Sequence, residues 1–534
     1  MNAGRICLLV AVCCLAWSGE VRVDASCVWE DKDGYTPVQV RIEALIAPVD
    51  VRLEVQLGES RATASVRVEP GRTTSTTVLL PCNPGYGSPV LRWRSDNERG
   101  EEGVPVTIEH LAIDLVALDP SEQLPVPALK KLIEEKVTES HSSGRSYRSS
   151  GGERVRRIAG DALPDRWQGW PAWMTLVTTP NGEVGLNQAQ REAIATWTRL
   201  GGALFVSDAA SEPAWRKLGA IVTVLDPGTA DQPALITRLT SVRTADGRPV
   251  NHPVPGTSEL PTGWFLTLAI TFAVVAGPLN LWWTIRRRQP WLLLITTPLI
   301  SLGTCALLIV IALASDGIGK QRSAMQIALI DLEAQRTSVF HGITWFCGIA
   351  PGPFALDRED RLQPMDEADY DNRWRRDRPA LELDWRQGQS VLGSWIPARV
   401  NRQLACTQAR PERRRISIVR SAGGWQVGNG LDVEIRELHW IDSAGLGWQA
   451  TGLAPGAEQD LIPSQRAAPT PDVRRLGLDA RLALNGAGRI AGSWVARLAQ
   501  PLHPVPGPTA QDREPIEAWA IGTLMPAAAS PGAF

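Results

Sequence analysis

The middle of the sequence reads WFLTLAITFAVVAGPLNLWWTI at positions 264–285, RRRQP at 286–290 and WLLLITTPLISLGTCALLIVIALA at 291–314. The two long segments are 22 and 24 residues in length and contain no charged residue. At about 1.5 Å per residue, each is long enough for the roughly 30 Å hydrocarbon core of a bilayer. Because only five residues join them, the sequence predicts an antiparallel transmembrane helical hairpin within 260–315.

The charges around this hairpin predict its orientation. Arg286, Arg287 and Arg288 lie in the link, whereas the outer flanks carry Glu259 and Asp316 and no basic cluster. Basic residues in short loops favour the cytoplasmic side. We therefore expect the turn in the cytoplasm and both flanking regions on the opposite side of the bilayer.

The N-terminus independently predicts export. Arg5 precedes an apolar run over 6–17 that is too short to cross a bilayer comfortably. The tripeptide Val23-Asp24-Ala25 then places small residues where a signal peptidase requires them. We interpret residues 1–25 as a signal peptide, with the first exported domain beginning at residue 26.

Composition limits the function classes. A chain of 534 residues suggests three or four domains. The net charge of -2 and the pI near 6.4 provide no basic field for nucleic acid, so no nucleic-acid partner is expected. The 21 Trp residues could be sugar-binding platforms, but they are scattered along the whole chain, which favours roles in cores and at membrane interfaces.

Three extramembrane regions differ in pattern. Residues 26–109 alternate apolar and polar residues between turn signals, which predicts a small β-sandwich. Residues 110–250 predict an α/β domain with a parallel sheet, because apolar strands over 173–178 and 203–207 flank an Asn187-capped helix over 187–200. Residues 320–534 predict a β-rich domain with a Pro/Ala-rich tail.

A family resemblance rests on LPDRWQGWPAWMTLVTTPNGEVGLNQAQREAIATWTRLGGALFVSD at 163–208. It resembles the glutamine-amidotransferase-like, flavodoxin-like domains of bacterial membrane proteins. The hairpin and VGNGLDVEIRELHWIDSAGLGWQATGLAPGAEQDL at 427–461 look like the same two-span family. This resemblance implies a flavodoxin-like fold in the bacterial inner membrane, with the bulk of the chain in the periplasm.

The chemistry of that family is not expected here. An active amidotransferase needs a Cys thiolate on a tight turn beside a His, but no cysteine lies between Cys82 and Cys305. Ser207 could replace the nucleophile only if a base stood beside it. The GAGRIAG run at 486–492 departs from the dinucleotide-binding spacing. We therefore predict no catalytic residue and no cofactor.

The cysteines outside the predicted signal peptide and spans suggest disulfides rather than metal ligands. Cys27, Cys82, Cys347 and Cys406 fall two and two in the outer β-regions, and an oxidising compartment would suit Cys27–Cys82 and Cys347–Cys406 pairs. Cys305 lies in the second span and is expected to remain reduced. No metal site is expected, because neither CxxC nor HxxxH spacing occurs.

These observations leave three functional hypotheses. The leading one is a non-enzymatic, membrane-anchored periplasmic scaffold or accessory protein that binds another cell-envelope protein or ligand. The second is an accessory subunit of an ABC-type transport complex. The third is an envelope glycan-binding protein that uses exposed Trp. The lipid bilayer is a partner in all three.

Overall fold

A computed structural model gives the fold of the chain. It describes residues 20–523, with gaps at 30–33, 82–87, 109–114, 134–154, 226–232, 246–251, 258–261, 317–318, 366–380, 422–423 and 485–491, and at positions 125, 128, 130, 132, 256 and 394. The predicted apolar signal segment, Cys82 and most of the GAGRIAG run lie outside the described residues.

The strands of the described residues fall into five sheets. Their bounds are β1 Val21–Trp29, β2 Tyr35–Ala44, β3 Val49–Leu57, β4 Ser60–Val68, β5 Thr73–Pro81, β6 Val90–Arg94, β7 Arg99–Gly103, β8 Val106–Ile108, β9 Leu115–Leu118, β10 Val155–Arg157, β11 Thr175–Thr178, β12 Ala203–Val206, β13 Val222–Val224, β14 Lys320–Asp331, β15 Arg336–Cys347, β16 Phe354–Leu356, β17 Asp360–Pro364, β18 Glu382–Asp384, β19 Gln389–Leu392, β20 Asn401–Pro411, β21 Arg415–Ser421, β22 Gly424–Gly430, β23 Ile435–Ile441, β24 Gly447–Leu453, β25 Glu458–Asp460, β26 Ile462–Pro463, β27 Ser493–Leu498, β28 Gln511–Asp512 and β29 Glu517–Thr523.

The helices are fewer and lie mainly in the α/β region and the hairpin. Their bounds are α1 Pro180–Val184, α2 Gln188–Arg199, α3 Glu212–Lys217, α4 Pro233–Ala245, α5 Thr262–Val274, α6 Asn280–Arg286, α7 Leu293–Asp316 and α8 Leu478–Ala483, with a π-helical turn at Val275–Leu279 between α5 and α6.

The N-terminal β-region does not form a closed domain of its own. Its first sheet has the order β5-β2-β1-β8. Its second sheet has the order β16-β19-β18-β4-β3-β6-β7 and is called the shared sheet here, because it combines strands from before and after the hairpin. In the shared sheet β18 pairs in parallel with β4, so that Leu383 lies opposite Ala62. The predicted boundary at 109 is therefore incomplete, because strands from 354–392 finish the layer that residues 49–103 begin.

The first strand also changes the predicted N-terminal boundary. β1 pairs with β2 from Val21, opposite Ala44, through Ala25, opposite Val40. Cleavage after Ala25 would remove the first five residues of this paired strand. The predicted boundary at residue 25 thus falls within the β-structure rather than before it.

The parallel sheet agrees with the α/β pattern of the sequence. Its order is β10-β9-β11-β12-β13 and its strands are all parallel, which is the 2-1-3-4-5 order of flavodoxin-type sheets. α2 begins after Asn187, whose side chain accepts the Gln190 N–H, while the Gln190 side chain accepts the Asn187 N–H. This reciprocal cap explains why the helix starts where the sequence predicts.

The large sheet connects the extramembrane parts. It runs β17-β20-β15-β14-β29-β27-β23-β24-β26, with β28 beside β14. One face, including Ile327 and Phe340, shares a core with the parallel sheet and α2. The opposite face packs in part on the two N-terminal sheets, through Ile343 and Leu404, and in part on the small sheet β21-β22-β25.

The predicted hairpin consists of two helices that are long and apolar enough to cross a membrane, Leu266–Arg286 and Pro290–Ile311. Arg287, Arg288 and Gln289 donate backbone hydrogen bonds to the last turn of the first helix. The π-helical turn contains Pro278, which cannot donate a backbone hydrogen bond. The wider π-helical turn accommodates the proline, so that the helix continues through this point.

Candidate functional site

The carboxyl ends of the parallel strands are the expected position of a ligand site in this fold. In sheets of this order, ligands bind beyond the carboxyl ends of the strands, where the strand order reverses. That reversal lies between β9 and β11. The residues immediately after these strands are Asp119 and Thr179.

Asp119 is committed to its own loop. Its side chain is buried, and its two oxygens accept the N–H groups of Gln123 at 2.9 Å and Leu124 at 2.8 Å. The guanidinium of Arg157 lies 3.6 Å from the same carboxylate. The carboxylate therefore shapes the loop after β9 rather than facing an open cleft.

The chain itself fills the crevice beside Asp119. The Thr179 hydroxyl donates to the Leu118 carbonyl at 3.3 Å and accepts the Gly182 N–H at 3.2 Å, capping α1. A Cβ atom added to Gly182 would lie 2.0 Å from the Leu118 oxygen. Only glycine allows α1 to approach so closely, and this approach places helix backbone where a ligand would otherwise bind.

Ser207 follows β12, at the same carboxyl ends of the strands. Its N–H donates to the Thr178 carbonyl at 3.0 Å, and the neighbouring Asp208 carboxylate accepts the Ala210 N–H at 2.9 Å. Within the part of the chain that the structure describes, no histidine forms a hydrogen bond with Ser207. The two histidines of the early α/β region, His110 and His141, lie outside the described residues.

A buried ion pair joins the large sheet to the α/β region. Arg361 on β17 forms a salt bridge with Asp479 on α8, donates to the Trp170 carbonyl at 2.9 Å, and places its guanidinium 5.3 Å from the Trp167 ring centroid. Thr407 donates to the same Asp479 carboxylate at 3.0 Å. Both charges therefore have partners within the protein, in an interface between distant parts of the chain.

A second buried polar chain lies on the opposite face of the large sheet. The His341 Nε2 atom lies 3.1 Å from the Gln408 Oε1 atom, and the Gln408 Nε2 atom donates to Asp360 at 2.8 Å. Burial lowers the pKa of His341 to about 3. Burial raises the pKa of Asp360 to about 6, although the Arg410 guanidinium opposes the change. This arrangement keeps His341 neutral, and its imidazole bonds to Gln408 within the protein.

The predicted Cys347–Cys406 disulfide is wrong. In the register of β15 and β20, Cys406 lies opposite His341, six positions from Cys347. At about 3.3 Å per residue the two are on the order of 20 Å apart, well beyond the roughly 7 Å limit for bonded Cα atoms. Instead, both thiols are buried, and burial raises the pKa of each.

The remaining cysteines give less information about pairing. Cys27 donates to the Trp29 carbonyl at 3.1 Å, while its predicted partner Cys82 lies outside the described residues. Cys305 is exposed on α7. Among the described residues, no group of three or more His, Cys, Asp or Glu side chains could hold a metal ion.

The tryptophans divide between two environments. Trp29, Trp170 and Trp197 form a fully buried stack with ring centroids 5.2 Å apart at each step. In contrast, Trp282 and Trp291 of the hairpin are 58% and 57% exposed. Among the described residues outside the hairpin, each Trp is buried or half-buried.

A polar clamp joins the two helices of the hairpin. The Asn280 amide donates to the Thr297 hydroxyl at 3.2 Å, and its carbonyl oxygen accepts the Thr296 hydroxyl at 2.9 Å. One turn beyond, Arg286 lies 5.2 Å from the Trp282 ring centroid and Arg287 lies 4.7 Å from that of Trp283. The turn thus places two guanidinium groups over indole rings.

Both ends of the hairpin attach to the large sheet at the same end of strands β14, β15 and β20. Before the hairpin, the Val254 N–H and the Thr257 hydroxyl donate to the Asn401 side chain at 3.2 and 3.3 Å. After it, Lys320 begins β14 opposite Cys347. Asn401 was not a sequence-predicted site residue, because its partners lie more than 140 positions away and no local pattern marks it.

Comparison with known proteins provides no family assignment. No family model and no curated protein matches the chain. Among solved structures, a carbohydrate acetylesterase from Xanthomonas citri is similar with a TM-score of 0.20 and 11% sequence identity, over 44% of this chain and 80% of that one. A similarity this weak supports no statement about fold or activity.

Proposed function

We propose that the chain is a non-enzymatic, membrane-anchored scaffold or accessory protein whose outer domains bind another protein or ligand of the cell envelope. The observation that carries this proposal is the occupied crevice of the parallel sheet, where α1 packs its backbone on Leu118. In this interpretation the α/β region is a flavodoxin-like domain of the glutamine-amidotransferase-like type that has kept the fold without a nucleophile.

The sheets support the placement of both outer regions on one side of the bilayer. β4 precedes the hairpin and β18 follows it, yet they pair within the shared sheet. A continuous sheet cannot form across a bilayer, because unpaired backbone groups are not tolerated in the hydrocarbon. If α5, α6 and α7 cross the membrane, they must therefore leave and return on the same side.

Exposed side chains near the hairpin fit this placement. Ile349 and Val400 are 60% and 48% exposed. They lie just beyond the ends of β15 and β20, at the end of the large sheet from which the hairpin departs. The Arg399 N–H between them donates to the Cys347 carbonyl at 2.7 Å. We propose that this end of the large sheet faces the outer lipid headgroups. The remaining surface of the outer domains is then free to bind partners.

The first test is purification of the full-length chain from native membranes in a mild detergent, followed by mass spectrometry. The proposal predicts a stoichiometric envelope protein that remains bound. An ATPase with a permease would identify the transport-complex alternative. Recovery of the chain alone, at native expression level, would count against a scaffold.

The second test concerns catalysis. The purified chain should not hydrolyse amide, ester or glycosidic model substrates above the rate of buffer. Hydrolysis that is abolished by Ser207→Ala but not by Asp208→Asn would show that Ser207 is a nucleophile and would overturn the non-enzymatic assignment.

A further inference from the structure

The hairpin contains an apolar groove that the functions discussed above do not use. The groove has a volume of about 430 Å³. Its lining includes Val275, Leu279, Trp282, Trp283, Leu299 and Ile300. It lies beside the π-helical turn, where Pro278 widens the first span, and the Asn280–Thr296 bond holds the helices together at its base.

The two indoles connect this groove to the arginine turn. Trp282 and Trp283 line the groove, and each also has a guanidinium over its ring, from Arg286 and Arg287 respectively. Among the described residues, no carboxylate forms an ion pair with either arginine. Two positive charges that form no ion pair with a described carboxylate thus lie at one end of an apolar groove.

The dimensions match one leaflet of a bilayer. Val275 and Arg287 are twelve positions apart, which corresponds to about 18 Å along a helix. One leaflet contributes about 15 Å of hydrocarbon. A chain that begins at the arginines and follows the groove would therefore end near the middle of the membrane.

We propose that the hairpin binds one anionic phospholipid, with its phosphate between Arg286 and Arg287 and one acyl chain in the groove. The proposal rests on the membrane anchoring proposed above. Arginine suits phosphate because its guanidinium can donate two parallel hydrogen bonds, and basic pockets between spans on the cytoplasmic side suit anionic headgroups. A zwitterionic lipid would bring its own cationic amine to the two arginines along with its phosphate, whereas an anionic lipid brings a net negative charge. A partner helix would fill the groove but bring no phosphate.

The test uses the full-length chain in nanodiscs that contain equal amounts of phosphatidylglycerol and phosphatidylcholine. Native mass spectrometry then counts the lipids that remain bound after release. We expect one retained phosphatidylglycerol. The paired change Arg286→Gln with Arg287→Gln should lower its retention about tenfold or more, because both charge-assisted contacts are lost.

Two further variants separate this site from general charge. Arg288→Gln is the matched control, because among the described residues the Arg288 guanidinium lies over no aromatic ring, and Arg288 has a φ of 55° beyond the helix. We expect a less than twofold effect. Leu299→Trp should fill the groove and remove the bound lipid while leaving the arginines in place.

Several results would overturn the lipid site. Equal losses with Arg288→Gln and with the paired change would reduce it to net charge. Undiminished retention in Leu299→Trp would remove the role of the groove, and a cross-link from position 299 to a second copy would assign the groove to a helix. Failure of the chain to insert into nanodiscs would instead contradict membrane anchoring itself.

Discussion

At the scale of single residues, buried charges from distant parts of the chain pair with one another. Arg361 and Asp479 are separated by 118 positions, so no spacing rule could predict their contact. Each side chain is almost fully buried. Such a pair adds little stability relative to apolar residues, but loss of one partner leaves an uncompensated charge.

Asp479→Ala should therefore destabilise the chain by about 3–5 kcal/mol. Urea unfolding of the full-length protein in nanodiscs, followed by tryptophan fluorescence, measures the change. Asp472→Ala is the matched control, because Asp472 forms an exposed pair with Arg474 and should shift the midpoint very little. Equal shifts for the two variants would contradict the assigned role of the buried pair.

Buried titratable residues predict a loss of stability in mild acid. Burial lowers the pKa of His341 to about 3 and that of His503 to about 4. Their unfolded values are near 6.5, so the unfolded chain alone takes up these two protons as the pH falls below about 6.5. Asp360, with its pKa raised to about 6, acts in the opposite direction because the folded state takes up its proton first.

The net difference is about one proton, so the free energy of unfolding should fall by on the order of 1 kcal/mol per pH unit between about pH 6.5 and 5. His252, whose pKa is also lowered by burial, acts in the same direction as the other two histidines. His341→Gln should reduce the slope by about one proton equivalent. Parallel slopes for the variant and the parent chain would mean that His341 does not titrate as described.

At the scale of elements, sequence patterns predicted structure where the interactions are local. α2 and its cap, the parallel strands β11 and β12, and the two apolar helices all appear in the structure near their predicted positions. The filling of the crevice by α1 was not predicted. It depends on the close approach of Gly182 to Leu118, 64 positions away in the chain, and a single glycine in a polar turn does not reveal such a contact.

Gly182→Ala should displace α1 from the end of β9. A Cβ atom would meet the Leu118 oxygen at 2.0 Å, and relief of this clash should cost about 1–3 kcal/mol. Gly185→Ala is the matched control, because there the nearest atom is at 3.7 Å and the backbone φ is -74°. The unfolding midpoint distinguishes them, and equal stability of the two variants would show that α1 does not seal the crevice.

At the scale of the whole molecule, the domain boundaries were the least accurate prediction. The sequence suggested separate β-domains before and after the hairpin, whereas β18 completes the shared sheet with β4 across 321 positions. Alternation identifies a strand but not its distant neighbour. The predicted Cys347–Cys406 bond was wrong for a related reason, because shared domain location does not reveal the register of β15 with β20, which places Cys406 opposite His341.

We propose that residues before and after the hairpin share one compartment while the arginine turn lies in the other. It is tested most directly by labelling intact cells with a membrane-impermeant maleimide. Asp208→Cys and Glu458→Cys would place thiols before and after the hairpin, and Arg288→Cys would place one in the turn, each compared with the parent chain. We expect labelling at positions 208 and 458, and none at 288 until the membrane is permeabilised. Labelling at 288 in intact cells, or at only one of the other two positions, would contradict it.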